Sequence, residues 1–282
     1  MTCFCGQSVP PSNPYIVQAL DGRVRYYDYV ENEVRGETNV NDGVVATDLR
    51  WVAERLGWLV TFADSTFCFF PDIGGGHGLG GEPGDLEWSC EGAHGFFGVG
   101  AEVWCVEYGW VGGKGVVATG GDDGRLRLWD WGEHGGFEEV KGRGGGMEAG
   151  GGVTRLERVE GGGGEGEVDF LVGSYDEAVR RVRYCTERRA LEVLWETEVG
   201  GGVWRLERFP GWEEGGEDVW LAGIMYGGAM VLGSDGRKRG GVEKGFESMV
   251  YGAGWIKEGE EWKCVACSFY DMRVRVWDWE DK

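Results

Sequence analysis

Histidine is almost missing from this sequence, which has only His77, His94 and His134 in 282 residues. A Ser-His-Asp triad needs a histidine as its base, so only these positions could supply one, and no GxSxG motif accompanies them. Basic residues are scarce too, with 28 Lys and Arg against 49 Asp and Glu and a net charge of −21. Nucleic acids and anionic membrane surfaces attract basic proteins, so we expect neither as a partner.

Long apolar runs are also missing, since no stretch approaches the roughly 20 residues of a membrane span. The start, MTCFCGQSVPPSNPY, has no basic segment followed by an apolar one, so we expect no signal peptide. We therefore expect a cytoplasmic protein whose eight cysteines are reduced thiols.

Metal-ligand spacing is limited to one CxxC, at Cys264 and Cys267, and one CxC, at Cys3 and Cys5. The CxxC lies in KCVACSFYD, which is typical of a strand, where residues three apart point to opposite faces. No second CxxC or His pair completes a zinc site, and no glycine run has the spacing of a phosphate loop. The sequence predicts no metal and no cofactor.

The clearest local pattern is GGDDGRLRLWDW, from Gly120 to Trp131. Asp and Gly tolerate the backbone angles of a tight turn. Apolar and basic residues then alternate, as in a strand with one buried face. The segment closes on Trp-Asp, the dipeptide that often ends the third strand of a WD-repeat blade.

The same pattern of apolar strand, tight turn and alternating strand recurs five more times. The period is about 43 to 59 residues, near the length of a four-stranded blade. The turn residues of the six units are Asp21, Asp64, Asp123, Asp176, Gly227 and Asp271.

An apolar strand precedes five of these six units, in the position of an innermost strand. These strands begin near Gly43, Ala101, Gly151, Gly201 and Ser248. No segment has convincing helical periodicity. The sequence therefore predicts an all-β WD-repeat β-propeller with six recognisable blade units, in a ring of six or seven blades, and with the first unit truncated at its N-terminus.

Glycine runs interrupt this pattern, because the sequence has 56 glycines and many of them cluster. Such runs bury no side chains and are typical of flexible surface loops. We expect one β-propeller domain over residues 1–282, with glycine-rich loop insertions near 74–81, 142–152 and 161–166.

Four later motifs go beyond the generic repeat: GSYDE at 173–177, EVGGGVWRLERFP at 198–210, SMVYGAGW at 248–255 and ACSFYD at 266–271. In this order they resemble the diphthine methyl ester hydrolase family, also called diphthine methyltransferase, of diphthamide biosynthesis. The AEVWCVEY segment also resembles the family's middle blade. The chain departs from the family where a histidine is expected, at Phe209, Tyr226 and Met272.

The resemblance implies an enzyme, a carboxylic ester hydrolase (methylesterase). The family removes the methyl ester from diphthine methyl ester on elongation factor 2, which leaves diphthine for the final amidation. The implied partner is elongation factor 2, with other diphthamide-pathway proteins as further candidates. The alternative is a non-catalytic WD-repeat scaffold for protein–protein interaction, because a fold alone does not define a function.

Ester hydrolysis needs a base and a donor for the oxyanion. Our candidate bases are Glu102, Asp176 and Glu177, and the candidate oxyanion donor is Arg205. Aromatic faces attract a trimethylammonium group. The candidate substrate-binding residues are Trp104, Asp123, Tyr175, Trp204, Tyr251, Tyr270 and Asp271.

Each of these residues also has a structural explanation. Turn aspartates usually accept backbone N–H bonds, and a Trp on an innermost strand usually packs between sheets. His94 is a further catalytic candidate, since it alone of the three histidines is close to a motif strand. The single basic cluster, Arg180 to Arg189, either pairs with acidic loops or docks an acidic surface.

Overall fold

The computed structural model describes residues 5–8, 15–28, 30–71, 88–132, 136–142, 144–211, 218–242 and 246–279. These residues form strands and turns. No helix among them is long and apolar enough to cross a membrane. Contacts between residues group into two compact units, Met1–Met147 and Glu148–Lys282.

The first unit contains three antiparallel sheets. Sheet 1 consists of β1 (Cys5–Ser8), β2 (Tyr15–Leu20), β3 (Arg23–Asp28) and β4 (Glu33–Asn39). Sheet 2 consists of β5 (Ala46–Val52), β6 (Gly57–Phe62), β7 (Phe67–Pro71) and β8 (Trp88–Cys90). A small hairpin follows, formed by β9 (Gly95–Phe96) and β10 (Val99–Gly100). Sheet 3 consists of β11 (Val103–Val111), β12 (Lys114–Gly121), β13 (Arg125–Trp131), β14 (Phe137–Glu139) and β15 (Gly146–Glu148).

The second unit contains three more antiparallel sheets. Sheet 4 consists of β16 (Val153–Val159), β17 (Glu167–Ser174), β18 (Ala178–Cys185) and β19 (Ala190–Glu198). Sheet 5 consists of β20 (Val203–Arg208), β21 (Val219–Ile224), β22 (Gly228–Gly233) and β23 (Lys238–Val242). Sheet 6 consists of β24 (Val250–Glu258), β25 (Glu261–Ser268) and β26 (Arg273–Asp278).

Within each sheet, the first three or four strands pair in chain order, as in a propeller blade, and β15 of sheet 3 pairs with β13 outside this order. The first strands of neighbouring sheets lie beside each other: β5 beside β1 and β11, and β20 beside β16 and β24. Each first strand is therefore the innermost one of its unit, as the sequence predicts. All six turns between second and third strands also fall at the predicted positions. The predicted fold class, an all-β WD-repeat β-propeller built from blade units, is confirmed.

The expectation that the first unit lacks its innermost strand is wrong. Cys5 to Ser8 pair with Ala19 to Ile16, which completes a four-stranded sheet. This strand has only four residues, against six to nine for the other first strands. Its sequence, CGQS, has no alternation of apolar and polar residues, so the period-2 pattern could not reveal it.

The glycine-rich loops have different outcomes. The segment near 161–166 forms the connection between β16 and β17. The segment near 142–152 is not wholly a loop, because β15 lies within it and pairs with β13. The segment near 74–81 lies outside the described residues. Because residue contacts divide the chain into two compact units, the expectation of one domain over residues 1–282 stays a prediction.

The core lies between the faces of neighbouring sheets, so middle strands are buried on both sides. The strands β6 and β21 are buried along their whole length, which explains their apolar runs without alternation. Between sheets 2 and 3, Phe67 and Phe69 pack with Trp129 and Trp131. Trp220 and Leu206 belong to the corresponding core of sheets 4 and 5.

Candidate functional site

Five of the six innermost strands have the same irregularity near their start. The pairing register shifts after the first residue of the strand, which leaves the second residue at a β-bulge. A bulge re-aims a side chain and is common next to binding sites. The five bulged residues are Thr47, Trp104, Thr154, Trp204 and Tyr251.

The bulge position is used in two ways. Where it holds threonine, the side chain links neighbouring innermost strands: Thr47 donates to the Val103 carbonyl, and Thr154 donates to the Val203 carbonyl. At Trp204 and Tyr251, which also occupy bulges, the ring instead meets other rings. The sequence-predicted aromatic candidates of the innermost strands therefore occupy equivalent positions of different sheets.

In the second unit, five rings form one group that we call the aromatic surface. Tyr175 stacks on Trp204 with ring centroids 6.0 Å apart, and Tyr251 meets Trp204 edge-on at 5.7 Å. Phe269 and Tyr270 lie 6.2 and 6.4 Å from Tyr251. These last two side chains are 66% and 65% exposed, so the surface is open to solvent.

The structure thus brings together four residues of the second unit that were predicted to contact substrate: Tyr175, Trp204, Tyr251 and Tyr270. The fifth ring, that of Phe269, was not predicted from the sequence. The five rings come from four elements: the turn after β17, the bulges of β20 and β24, and the turn after β25, which carries both Phe269 and Tyr270. Phe269 stands beside Tyr270 in the SFYD motif, which is the signal that could have found it.

A glycine makes the approach of the rings possible. A Cβ at Gly202 would lie 2.9 Å from the Tyr175 ring and 3.2 Å from the Met225 sulfur. Only glycine lets the start of β20 pass this close to Tyr175. The GGG segment before β20 therefore forms a loop and also allows this close packing.

The two turn aspartates beside the aromatic surface are engaged in hydrogen bonds. Asp176 accepts bonds from Ser174, from the Gly150 backbone N–H at 2.8 Å and from Arg180 at 2.7 Å. Burial opposes ionisation of Asp176, but these donors outweigh it and lower its pKa to about 2. Asp271 accepts from Ser268 and from the Glu247 N–H, and these bonds lower its pKa.

Glu177 and Arg205 are two solvent-accessible charged residues that lie close in sequence to these rings. Glu177 is exposed and has a positive φ of 70°, which is unusual for a residue with a side chain. Arg205 follows Trp204 and has a side chain 42% exposed, with its Nε 3.2 Å from the Glu207 carboxylate. Both groups are placed where a ligand could reach them.

The other two predicted site residues with a shared motif, Glu102 and Trp104, belong to the first unit. The Trp104 Nε1–H donates to the Glu102 carboxylate at 2.8 Å. Glu102 is exposed, and Trp104 is half-buried at its bulge.

Asp123, the remaining candidate, lies in a buried network with His94. His94 Nδ1 is 2.7 Å from Asp123 Oδ1, and His94 Nε2 is 2.9 Å from the Thr119 hydroxyl. Thr119 accepts from Trp129 Nε1–H at 2.8 Å. The Thr119 O–H is then free to donate to Nε2, which places the His94 proton on Nδ1, facing Asp123.

This network holds sheet 3 together and is closed to solvent. The side chains of His94 and Asp123 are 0% and 1% exposed. Asp123 Oδ2 also accepts the Gly95 N–H at 3.1 Å, just as Asp176 accepts Gly150 N–H. Such geometry favours the structural explanation for His94 and for the turn acids. The prediction that Asp123 contacts a substrate stays untested, and the burial of its side chain argues against it.

The basic cluster of β18 pairs with carboxylates, the first of its two predicted roles. Arg181 and Arg183 both contact Asp169 at 2.7 Å, and that carboxylate is fully buried. Arg180 contacts Asp176 at 2.7 Å and Glu196 at 2.6 Å. The carboxylates lie on neighbouring strands and a turn.

At three positions the resemblance to the hydrolase family leads us to expect a histidine, and the residues found there make other contacts or lie in turns. Phe209 packs edge-on against Trp255 and Trp262, at 5.0 and 5.4 Å. Tyr226 and Met272 occupy turns at positive φ, with 69% and 87% of their surface exposed.

Within the described ranges, no group of three His, Cys, Asp or Glu side chains could hold a metal ion. Cys264 is buried whereas Cys267 is exposed, as expected for strand residues three apart. Burial raises the pKa of Cys264 to about 12, so this thiol stays protonated at neutral pH.

The free energy of unfolding is expected to decrease in two steps as the pH is lowered. Burial lowers the pKa of His94 below its ordinary 6.5, so its contribution is present above about pH 6.5 and is lost as pH falls through the lower folded value. Burial raises the pKa of Asp123, but the His94 bond outweighs this and lowers it to about 2 from 3.8. Its contribution, like that of Asp176, is lost between about pH 4 and pH 2. Thermal melts followed by circular dichroism test both steps, and a midpoint that stays constant from neutral pH to about pH 4 would contradict the first.

Comparisons with known proteins agree with this geometry. Residues 93–130 match the WD40 model, described as WD domain, G-beta repeat. The match covers His94, Asp123 and Trp129, the network of sheet 3. No curated protein matches the sequence significantly.

Solved structures resemble the chain in fold. BBS1N in complex with ARL6DN, soaked with lead, is 12% identical, with a TM-score of 0.64, covering 98% of this chain and 78% of that one. The mercury-soaked crystal of the same complex gives 11% identity, a TM-score of 0.65, and coverage of 98% and 76%. A chain of the mitotic checkpoint complex gives 13% identity, a TM-score of 0.65, and coverage of 94% and 71%. Identities this low show the fold alone.

The fold and its structural neighbours define the class, a β-propeller built from antiparallel blades. The matched segment then shows that the chain contains a WD40 repeat over residues 93–130. Members of this class typically bind protein partners.

Proposed function

We propose that this WD-repeat protein hydrolyses the methyl ester of diphthine methyl ester on elongation factor 2, which yields diphthine for the final amidation to diphthamide. One observation supports the proposal. The motifs GSYDE, GGGVWRL, MVYGAGW and CSFYD, which carry the family resemblance, each contribute a ring to the aromatic surface. Residues that pack only as structure would not need to meet on an open face.

The aromatic surface suits the chemistry of this substrate. A trimethylammonium group over the faces of Trp204, Tyr251 and Tyr270 would gain about 0.5–2 kcal/mol from each ring. The exposed Tyr270 is at the open end, where a side chain of a folded partner could enter. The proposed location is the cytoplasm, where other diphthamide-pathway proteins are further candidate partners.

Hydrolysis at this site would use water and a carboxylate base. Glu177 takes a proton from water, and the water oxygen bonds to the ester carbonyl carbon. Arg205 stabilises the negative charge on the carbonyl oxygen. The C–OCH₃ bond then breaks, and methanol leaves with the proton from Glu177. Asp176 suits the role of base less well, because its pKa of about 2 makes it a weak proton acceptor.

A second candidate function is a non-catalytic scaffold. It is favoured by the engagement of the three turn acids, Asp123, Asp176 and Asp271, in backbone and side-chain bonds. A scaffold would still use the aromatic surface to bind protein, so the two functions differ only in turnover.

Deletion of the gene distinguishes the two functions. If the chain is the esterase, elongation factor 2 from deleted cells carries the methyl ester in place of diphthamide, as shown by mass spectrometry of its tryptic peptides. Re-expression of the chain restores diphthamide. Normal diphthamide in deleted cells would rule out the esterase and leave the scaffold.

Replacement of Trp204 by Ala is expected to weaken binding of a trimethylammonium-bearing peptide by about tenfold. Trp204 contacts both Tyr175 and Tyr251, so its loss removes one ring and loosens two others. Titration calorimetry with the peptide and its neutral tert-butyl analogue measures the effect. Trp204→Phe keeps a ring and should recover most of the affinity. Equal affinity of the protein for charged and neutral peptides would contradict the cation–π explanation.

A further inference from the structure

A short hairpin, which lies between sheets 2 and 3 in the chain, presents apolar side chains to solvent. Its strands β9 and β10 pair Phe96 with Val99, and Phe97 and Gly98 form the turn. Phe97 is fully exposed, and Phe96 and Val99 are 47% and 70% exposed. We call residues 96–99 the apolar tip. Contiguous exposed apolar side chains indicate an interaction site, whereas isolated ones are ordinary.

The backbone of the turn does not suit phenylalanine. Phe97 and Gly98 both have positive φ, of 47° and 85°, as in a type I′ hairpin turn. Asn, Asp and Gly are the usual residues at the first of these positions, because a bulky side chain is strained there. Phe97 therefore gives the fold neither a buried contact nor a favourable turn. Strain of this kind is common where a residue serves binding.

The base of the hairpin is held in place by buried groups. Gly95 pairs with Gly100 across the two strands, and the Gly95 N–H donates to Asp123 Oδ2 at 3.1 Å. The backbone at Gly100 packs against Ser65, since a Cβ added there would lie 3.1 Å from the Ser65 Cβ. The buried network of sheet 3 thus fixes the base from which the apolar tip projects. A tip on a fixed base binds with less loss of conformational entropy than a mobile loop.

Three exposed carboxylates lie on segments next to this base. Asp64 precedes Ser65, Glu102 follows the hairpin, and the Asp122 N–H donates to the Glu102 carbonyl at 3.0 Å. We call Asp64, Glu102 and Asp122 the acidic rim. Within the described ranges, none of the three forms an ion pair with a lysine or arginine. Burial and the carboxylates of Glu102 and Asp123 raise the pKa of Asp122, as expected where negative charges are close together.

We propose that the apolar tip inserts into an apolar pocket of a partner protein, and that lysine and arginine side chains surround the mouth of this pocket. Phe97 would fill the pocket, as aromatic residues do at the centre of protein interfaces. The acidic rim would face the basic side chains, and this complementarity would speed association and orient the partner. In a chain of net charge −21, the same carboxylates oppose insertion of the tip into an anionic membrane. This site does not depend on the esterase proposal.

Photo-crosslinking from position 97 tests the insertion. p-Benzoylphenylalanine in place of Phe97 keeps an aromatic side chain, and in cells that express the chain it should cross-link to one partner. Mass spectrometry of the cross-linked peptide identifies that partner and its pocket. The matched control is the same replacement of Leu56, which also lies in a turn of the first unit, 64% exposed and at a positive φ of 49°. Position 56 should give no such product.

Variants of the purified chain separate binding from folding. Phe97→Asn removes the ring and suits a positive φ better, so affinity for the identified partner should fall by at least about tenfold. Its midpoint of thermal unfolding should rise by about 1–3 °C. Leu56→Asn should leave affinity unchanged. Asp122→Lys should weaken binding by about tenfold at low salt and by less at high salt. Titration calorimetry and thermal melts followed by circular dichroism measure these effects.

Several results would overturn the proposal. They are equal cross-linking from positions 97 and 56, an acidic pocket mouth, and unchanged affinity or a lower thermal midpoint in Phe97→Asn. A cross-link to a second copy of this chain would assign the apolar tip to self-association. Flotation of the chain, but not of Phe97→Asn, with vesicles of phosphatidylcholine and phosphatidylserine would assign it to a membrane. Either assignment would replace the partner pocket.

Discussion

Replacement of Glu177 by Gln is expected to lower methyl release from the elongation factor 2 ester by about 100-fold or more, the usual contribution of a general base. Glu177 is exposed in the turn that carries Tyr175, and its φ of 70° is strained for a residue with a side chain. Strain of this kind persists where the surroundings hold it, and it is common at functional sites. Here the Glu177 carbonyl accepts the Val199 N–H at 2.8 Å, which fixes the turn.

Gln has nearly the same shape as Glu, so substrate affinity should be unchanged while turnover falls. Asp176→Asn is the matched control in the same turn. It should cost about 1–2 kcal/mol of stability through loss of the Arg180 ion pair, with turnover largely retained. Glu102→Gln, in the first unit, serves as a second control. Full turnover by the folded Glu177→Gln variant would exclude this carboxylate as the base.

Replacement of His94 by Ala is expected to lower the free energy of unfolding by about 3 kcal/mol. Both ring nitrogens of His94 are engaged, one with Asp123 and one with Thr119. Its removal leaves the carboxylate of Asp123 buried, with its other donors, the Gly95 and Arg125 N–H groups and the Arg127 guanidinium, to compensate. Urea unfolding followed by tryptophan fluorescence measures the change.

A matched control is the equivalent turn acid of sheet 2, Asp64. It accepts the Thr66 N–H at 3.1 Å and the Asn41 amide at 2.9 Å, without a histidine. Asp64→Asn should cost less than about 1 kcal/mol. If His94→Ala lowered the free energy of unfolding no more than Asp64→Asn does, the buried network around His94 would not stabilise sheet 3 as its burial indicates.

Much of the fold could be predicted because its signals are local. A tight turn such as GDDG is specified by residues next to each other, and Leu126 and Leu128 alternate with arginines within one strand. The middle strands β6 and β21 show as apolar runs since both of their faces are buried. The short strand β1 was missed because its four residues have no pattern, and its pairing with β2 depends on contacts.

The site could be predicted only in part. The motifs named the aromatic residues, but not that Trp204 and Tyr251 occupy β-bulges, because a bulge depends on the register between two strands. Nor does GGG reveal that Gly202 lies under the Tyr175 ring. The roles of Asp176 and Asp271 depended on which donors surround them, and those come from residues distant in sequence, such as Gly150 and Glu247.

Incubation of the purified chain with purified elongation factor 2 bearing diphthine methyl ester tests the central claim most directly. Mass spectrometry of the modified peptide follows loss of the methyl group over time, and gas chromatography follows methanol. The esterase proposal predicts that methyl loss and methanol appear together, in proportion to protein concentration, and that both slow in the Glu177→Gln variant. An ester that remains intact while the protein binds elongation factor 2 would contradict the proposal and leave the chain a scaffold.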